Sequence, residues 1–129
     1  MLTKNTTCSI KAMVEDIIHN NILTKSDVQF IRECVQPVDI NINTLVELLS
    51  IANNLNYNLI DSSYQELLKD YLMKIYIPTG IIDYISAKEI IALFNPEEEL
   101  SYHIREILKK LKYIKHGIEF QAFLDDNMI

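Results

Sequence analysis

Glycine and proline are scarce in this chain, which contains two glycines and three prolines in 129 residues. Both residues concentrate in turns, so the composition argues against a turn-rich β-sandwich and favours helices. Two glycines are also too few for a loop that cradles a phosphate, and no Walker, HExxH, GxSxG or dinucleotide-binding motif occurs. Because no catalytic constellation is found, we expect a protein that is not an enzyme and needs no cofactor.

Positive charge is in the minority. Twelve lysines and arginines stand against 18 aspartates and glutamates, which gives a formal net charge of −6. An acidic chain is not attracted to nucleic acid or anionic lipid, whereas a basic protein partner suits it. The basic run KKLKYIKH at 109–116 is interpreted as a helix end and a turn rather than as a nucleic-acid patch. We therefore expect a protein partner and no nucleic acid.

Long apolar runs and paired cysteines are missing as well. No run approaches the roughly 18 residues that suggest a membrane span, and the N-terminus lacks the apolar region of a signal peptide. The two cysteines, Cys8 and Cys34, form neither a CxxC pair nor a metal-ligand spacing. We expect both thiols to be reduced in a cytoplasmic protein that does not insert into a membrane.

Apolar residues that recur at helical spacing fill most of the chain, and hydrophobic residues make up 49% of it. Thr24, Thr44 and Ser86 are predicted helix N-caps, and at the fourth helix either Asp61 or Ser62 is the cap. Glu89, three residues after Ser86, is predicted to complete a capping box. The predicted helices cover approximately 9–18, 24–36, 44–53, 62–77, 86–94, 97–112 and 119–124.

One unit occurs four times: a helix, a short polar break, one or two extended apolar residues and a capped helix. These apolar links are Ile22-Leu23, Leu59-Ile60, Ile85 and Ile118. A lone unit cannot bury its apolar face, so neighbouring units are expected to pair through a minimal bridge between their links. The interval between the second and third caps is short, which predicts two helices shortened or fused into one at about 62–77.

Three stretches resemble the calmodulin superfamily: ILTKSDVQFIREC at 22–34, IDYISAKEIIALF at 82–94 and GIEFQAFL at 117–124. The second is the most specific, because DYISAKEI is close to the end of a calmodulin-type third loop and the start of its exiting helix. The resemblance implies an all-α protein of EF-hand-like helix–loop–helix pairs in two lobes. One lobe would cover 1–60 and the other 78–129, with 61–77 as a connecting helix.

The loops of these units are degenerate, because an EF-hand needs several oxygen ligands at fixed positions. In the third loop only Glu89 stands at a ligand position, and the fourth loop places Lys115 at one. Asp27 and Glu89 are therefore interpreted as acids at helix N-termini, and we expect no metal. His116 and Glu119, three residues apart, are interpreted as a solvated turn rather than a metal or acid–base pair.

Metal-free loops are similar to those of myosin light chains. This likeness implies a calcium-independent subunit of a cytoskeletal or motor complex that clamps a basic amphipathic, IQ-type helix of a myosin neck. Three alternatives stay open: a calmodulin-like regulatory or scaffold subunit of another client, a calcium sensor, and a small helical immunity or host-interaction protein. The candidate partner-binding residues, which are mostly core on any interpretation, are Phe30, Ile31, Ile90, Ile91, Phe94, Ile104, Leu108, Phe120 and Phe123.

Overall fold

The computed structural model describes residues 9–94 and 99–129, and in this part of the chain helices predominate. The α-helices are α1 (Ile10–Asn20), α2 (Lys25–Cys34), α3 (Ile42–Asn54), α4 (Ser63–Tyr76), α5 (Tyr84–Leu93), α6 (Tyr102–Leu111) and α7 (Ile118–Asp126). Two short strands, β1 (Ile81–Ile82) and β2 (Lys115–His116), form the sheet. The all-α fold class is confirmed. None of the helices described combines the length and the apolar character needed to cross a membrane.

The start of α2 agrees with the sequence-based prediction. Thr24 is the N-cap, and its hydroxyl oxygen accepts a hydrogen bond from the backbone N–H of Asp27 at 3.1 Å. The Asp27 carboxylate accepts the Thr24 N–H at 3.0 Å in return, which completes a capping box. At α4 the carboxylate of Asp61, not the hydroxyl of the N-cap Ser62, accepts the backbone N–H of Ser63 at 3.0 Å.

Two predicted N-caps are wrong by three residues. Asn41 caps α3 and Asp83 caps α5, so that Thr44 and Ser86 occupy the third helical position. In both pairs the Asn or Asp side chain accepts the backbone N–H group three residues on, at 3.1 Å from Thr44 and at 2.8 Å from Ser86. The Ser86 hydroxyl instead donates to the carbonyl of Tyr76 at 2.6 Å, at the end of α4.

The predicted start of the sixth helix also changes. Glu97 and Glu98 lie outside the described residues, and α6 begins at Tyr102 with Ser101 as its N-cap. The last helix begins at Ile118, one residue before the predicted start at Glu119.

The apolar links pair in the N-terminal half as expected. Leu23 forms a bridge with Ile60: its N–H donates to the carbonyl of Leu59 at 2.8 Å, and its carbonyl accepts the N–H of Asp61 at 2.9 Å. Both Leu23 and Ile60 are buried.

In the C-terminal half a pair of links also exists, but the two predicted link residues are wrong. The bridge joins Ile81 to Lys115 and Ile82 to His116, whereas Ile85 and Ile118 lie in the first turns of α5 and α7. Because Asp83 ends the extended segment by capping α5, Ile85 follows it into the helix.

Both bridges are parallel. A parallel bridge relates consecutive helix–link–helix units by an approximate translation, whereas a two-fold axis between the units would make the links antiparallel. This geometry therefore does not confirm the EF-hand-like pairing that the resemblance implied.

The prediction of a fused helix at about 62–77 is confirmed by α4, which spans Ser63–Tyr76. It packs against α2 and α3, which precede it in the sequence, and against α5 and α6, which follow it. Buried apolar residues from α1 through α7 belong to one hydrophobic cluster, to which α4 contributes Tyr64, Leu67, Leu68 and Leu72. The division into two lobes stays a prediction.

Cys34, the last residue of α2, is disulfide-bonded. The expectation of a reduced thiol is therefore wrong for this residue, and Cys8 lies outside the described residues. Disulfide pairing depends on the distance and direction of two Cβ atoms in the folded chain, which cysteine spacing alone does not reveal.

Candidate protein-binding site

The nine predicted partner-binding residues are mainly part of the core. Phe30 and Ile91 are partly buried and pack against the hydrophobic cluster. The other seven are buried: Ile31, Ile90, Phe94, Ile104, Leu108, Phe120 and Phe123. Neighbouring helices cover these apolar faces in the structure, and their role in partner binding stays a prediction.

A different set of apolar side chains is exposed at the start of α5 and α7. Their exposed fractions are 43% for Ile81, 56% for Tyr84, 67% for Ile85 and 83% for Ile118. Water-exposed side chains of this size are informative when several occur together, because clustered apolar surface marks interaction sites. We call these four residues the α5–α7 surface.

The parallel register of the two strands places the α5–α7 surface. Ile82 lies opposite His116. Two residues after each of them a helix begins, α5 at Tyr84 and α7 at Ile118. Because paired strands lie about 4.8 Å apart, the two helices begin side by side. The two helices also pack against each other.

A shallow groove of about 420 Å³ continues from this surface along α7. Residues 118, 121, 122 and 125 lie three, four and seven positions apart, so they share one face of the helix. The lining residues are His116, Gly117, Ile118, Gln121, Ala122 and Asp125.

A chain of hydrogen bonds organises the polar wall of the groove. Nδ1 of the His116 imidazole lies 2.6 Å from the carbonyl oxygen of Ile114, and Nε2 lies 2.8 Å from Oε1 of Gln121. Gln121 in turn donates to Oδ1 of Asp125 at 2.9 Å, which fixes the orientation of its amide.

The sequence predicted a solvated turn histidine at position 116, but its imidazole contacts Gln121 of α7. The half-buried imidazole also lies edge-on to the ring of Phe120, with 5.3 Å between centroids. His116 is therefore held against α7 rather than solvated in a turn.

Several carboxylates are close in sequence to the α5–α7 surface. Residues 117–129 contain Glu119, Asp125 and Asp126 but no lysine or arginine. Asp83 precedes Tyr84, and the hydrogen bond from the backbone N–H of Ser86 lowers the pKa of its carboxyl group, which is ionised near neutral pH.

The nearest cations in sequence are two lysines. Lys88 places its ammonium 5.2 Å from the centre of the Tyr84 ring, a cation–π distance, and Lys115 lies in β2. Arg105 and Lys112 donate to the backbone carbonyls of Met128 and Ile129, shortly after α7, so cations lie at that end of the helix as well.

Sequence reasoning missed Ile81 and Tyr84 and assigned Ile85 and Ile118 to extended links. The signal that identifies them is the pair Asp83 and Ser86, three residues apart, which predicts a helix that starts at position 84. Apolar residues in a first helical turn are then candidates for exposure, because the core-facing face of α5 is already supplied by Ala87 and Ile90.

Metal ligands are not gathered at this site. Across the described ranges 9–94 and 99–129, no group of three or more His, Cys, Asp or Glu side chains is placed to hold an ion.

Comparisons with protein-family models, with curated proteins and with solved structures found no match for this chain.

Proposed function

We propose that this chain is a non-enzymatic binding subunit that holds a basic amphipathic helix without calcium. The observation that carries the proposal is the α5–α7 surface of four exposed apolar side chains, in which Tyr84 follows Asp83 and Ile118 precedes Glu119 in sequence. Apolar anchors of a helix fit the exposed side chains, and its basic residues fit these two carboxylates and the net charge of −6. The calmodulin-like stretches favour an IQ-type helix of a myosin neck, in a cytoskeletal or motor complex, as the specific partner.

The pairing of the strands supports independence from calcium. If the link residue Ile82 takes the eighth position of an EF-hand-like loop, the first three ligand positions hold Ile75, Ile77 and Thr79. Ser86 holds the last position. Calcium needs several carboxylate or carbonyl oxygens from its loop, and these four side chains offer no carboxylate.

Fluorescence anisotropy with a labelled, synthetic IQ-type peptide tests the proposal. We expect binding that is unchanged between a calcium buffer and a chelator and that weakens as salt is raised, because part of the attraction is electrostatic. A scrambled peptide of the same composition, which loses the amphipathic face, is the control. Equal binding of the two peptides, or binding that requires calcium, contradicts the proposal.

Paired variants locate the binding surface. The double substitution Tyr84→Ser and Ile118→Ser should weaken peptide binding by about tenfold or more, since central apolar anchors contribute most of the affinity of an interface. Val38→Ser is the matched control, because Val38 is 90% exposed but lies outside the α5–α7 surface. If Val38→Ser weakens binding as much as the double variant does, the α5–α7 surface is not the site.

A second peptide distinguishes a myosin client from another client. A basic amphipathic helix that lacks the IQ pattern should bind at least tenfold more weakly if the partner is a myosin neck. Equal affinity for both peptides would support the regulatory or scaffold subunit instead.

A further inference from the structure

A shallow groove of about 570 Å³ lies outside the α5–α7 surface, where the start of α3 meets the end of α4. Three isoleucines give it an apolar lining: Ile40 and Ile75 are partly buried against the core, and Ile42 is 52% exposed. A single 3₁₀ turn, Pro37–Asp39, precedes these residues in the chain. The groove is lined by Ile40, Asn41, Ile42, Asn43, Lys74 and Ile75.

Two hydrogen bonds hold the 3₁₀ turn beside the groove. Nζ of Lys74, at the end of α4, donates to the carbonyl of Pro37 at 2.7 Å. The hydroxyl of Thr44, in the first turn of α3, donates to the carbonyl of Asp39 at 2.9 Å. Val38, between these two carbonyls, is 90% exposed. An apolar side chain on a turn that is already fixed loses little conformational freedom when it enters a partner.

This surface therefore carries both halves of a contact, a projecting valine and an apolar groove. An isologous contact between two copies of one chain needs such a pair, because each copy presents the same surface to the other. The charges are paired in the same way, since Asp39 and Lys74 are both exposed and opposite in sign. A contact between two chains of net charge −6 each is favourable only at a surface that is not uniformly acidic.

We propose that this surface joins two copies of the chain across a two-fold axis. Val38 of each copy enters the groove of the other, and Asp39 of each copy faces Lys74 of the other. The contact is small and open to water, so we expect a reversible dimer with a dissociation constant of about 10–100 µM.

Sedimentation equilibrium over concentrations from about 5 to 500 µM tests the proposal, since this range brackets the expected dissociation constant. We expect a monomer–dimer equilibrium that does not proceed further, because an isologous contact uses up the surface of both copies. A monomer at every concentration overturns the proposal. Growth beyond the dimer also overturns it, since this would show a head-to-tail contact.

A matched pair of variants locates the contact. Val38→Asp should weaken dimerisation by about tenfold or more, because it places a charge in the apolar groove of the partner. Tyr113→Asp is the control: Tyr113 is also 90% exposed but lies in the turn between α6 and β2, and dimerisation should be unchanged. Melting temperatures check that both variants are folded. If Tyr113→Asp weakens dimerisation as much as Val38→Asp does, the copies meet elsewhere and the proposal fails.

Charge reversal tests the two-fold arrangement itself. Asp39→Lys and Lys74→Glu should each weaken dimerisation by about threefold or more, because like charges then face each other twice in every dimer. An equimolar mixture of the two variants should dimerise again, since each reversed charge meets an opposite one in the mixed pair. The bond from Thr44 to the carbonyl of residue 39 is available in both variants and keeps the turn in place. A mixture that dimerises no better than its components overturns the proposed arrangement.

Discussion

At the start of α2, Thr24 and Asp27 each bond the other's backbone N–H group. Thr24→Ala removes one of these bonds and should lower the free energy of unfolding by about 1 kcal/mol, as loss of an N-cap side chain usually does. Ser62→Ala is the matched control: Ser62 occupies the N-cap of α4 but makes no capping bond, so the change should stay within about 0.5 kcal/mol. Urea unfolding of the three proteins measures both values. Equal losses would remove the capping role of Thr24.

The carboxyl group of Asp61 makes the stability of the fold depend on pH. The hydrogen bond from the Ser63 hydroxyl, together with that from the Ser63 backbone N–H, lowers the pKa of the Asp61 carboxyl group from its ordinary value of 3.8. Folding therefore favours the ionised form. The resulting stability is complete above the unfolded pKa and is lost as the pH falls through that value towards the lower, folded pKa.

Asp61→Asn removes this titration. Near pH 7 the variant should be less stable than the wild type by roughly 1 kcal/mol or less, because a charged acceptor is replaced by a neutral one. As the pH falls below 3.8 the gap should narrow, since the stability that the ionised carboxylate contributes is lost over that range. Urea midpoints measured from pH 7 down to pH 2.5 give the difference. A gap that is constant over this range contradicts the assignment.

Among the elements, α4 and α6 are joined by a buried polar contact. Gln65 of α4 donates to Nδ1 of His103 in α6 at 3.0 Å, and Nε2 of the same imidazole donates to the carbonyl of Tyr57 at 2.8 Å. Since a carbonyl only accepts, Nε2 carries the hydrogen and Nδ1 is the acceptor. Rings of Tyr64 and Tyr102 lie edge-on to the imidazole.

A double-mutant cycle measures this contact. His103→Leu leaves the buried Gln65 amide without its partner and should cost about 2 kcal/mol, and Gln65→Leu should cost a similar amount. The double variant should cost less than the sum, because both members of the pair are then gone. Additive losses in denaturant titrations would show that the two side chains stabilise the fold independently.

The order of the helices was predictable from the sequence where the apolar periodicity was strong. The residues at which the helices begin were not. The repeat predicted the link pair of Leu23 and Ile60 and the fused helix at α4. The N-caps of α3 and α5 were displaced because two polar residues, three positions apart, can exchange roles in a capping pattern. The displaced cap at Asp83 then moved Ile85 from the link into the helix.

The candidate site was harder to predict than the fold for a related reason. Helical periodicity shows which face of a helix is apolar, but it does not show whether another helix covers that face. Phe120 and Phe123 were predicted to belong mostly to the core and also to line a partner groove; α7 buries both within the protein, and their partner role stays a prediction. Ile118, which is not part of the periodic apolar pattern, is the large apolar residue of α7 that is exposed.

For the whole molecule, the shared helix predicts a single unfolding transition. Leu68 of α4 is fully buried within the cluster that spans both halves, so Leu68→Ala should cost about 2–5 kcal/mol. Amide exchange should then accelerate equally in α1 and α7, which lie at opposite ends of the chain. Val46→Ala, at an exposed position of α3, is the control. If protection falls in α1 alone, the halves unfold as independent lobes.

α4 lies between the two parallel bridges, so its length sets the rotation of one bridge relative to the other. It leaves one bridge at Ile60 and reaches the next at Ile81. Each residue added to a helix turns everything beyond it by about 100° and advances it by about 1.5 Å. A single residue inserted in α4 would therefore rotate α5, α6 and α7 away from the helices against which they pack. An extra residue in a surface turn elsewhere would cause little rotation.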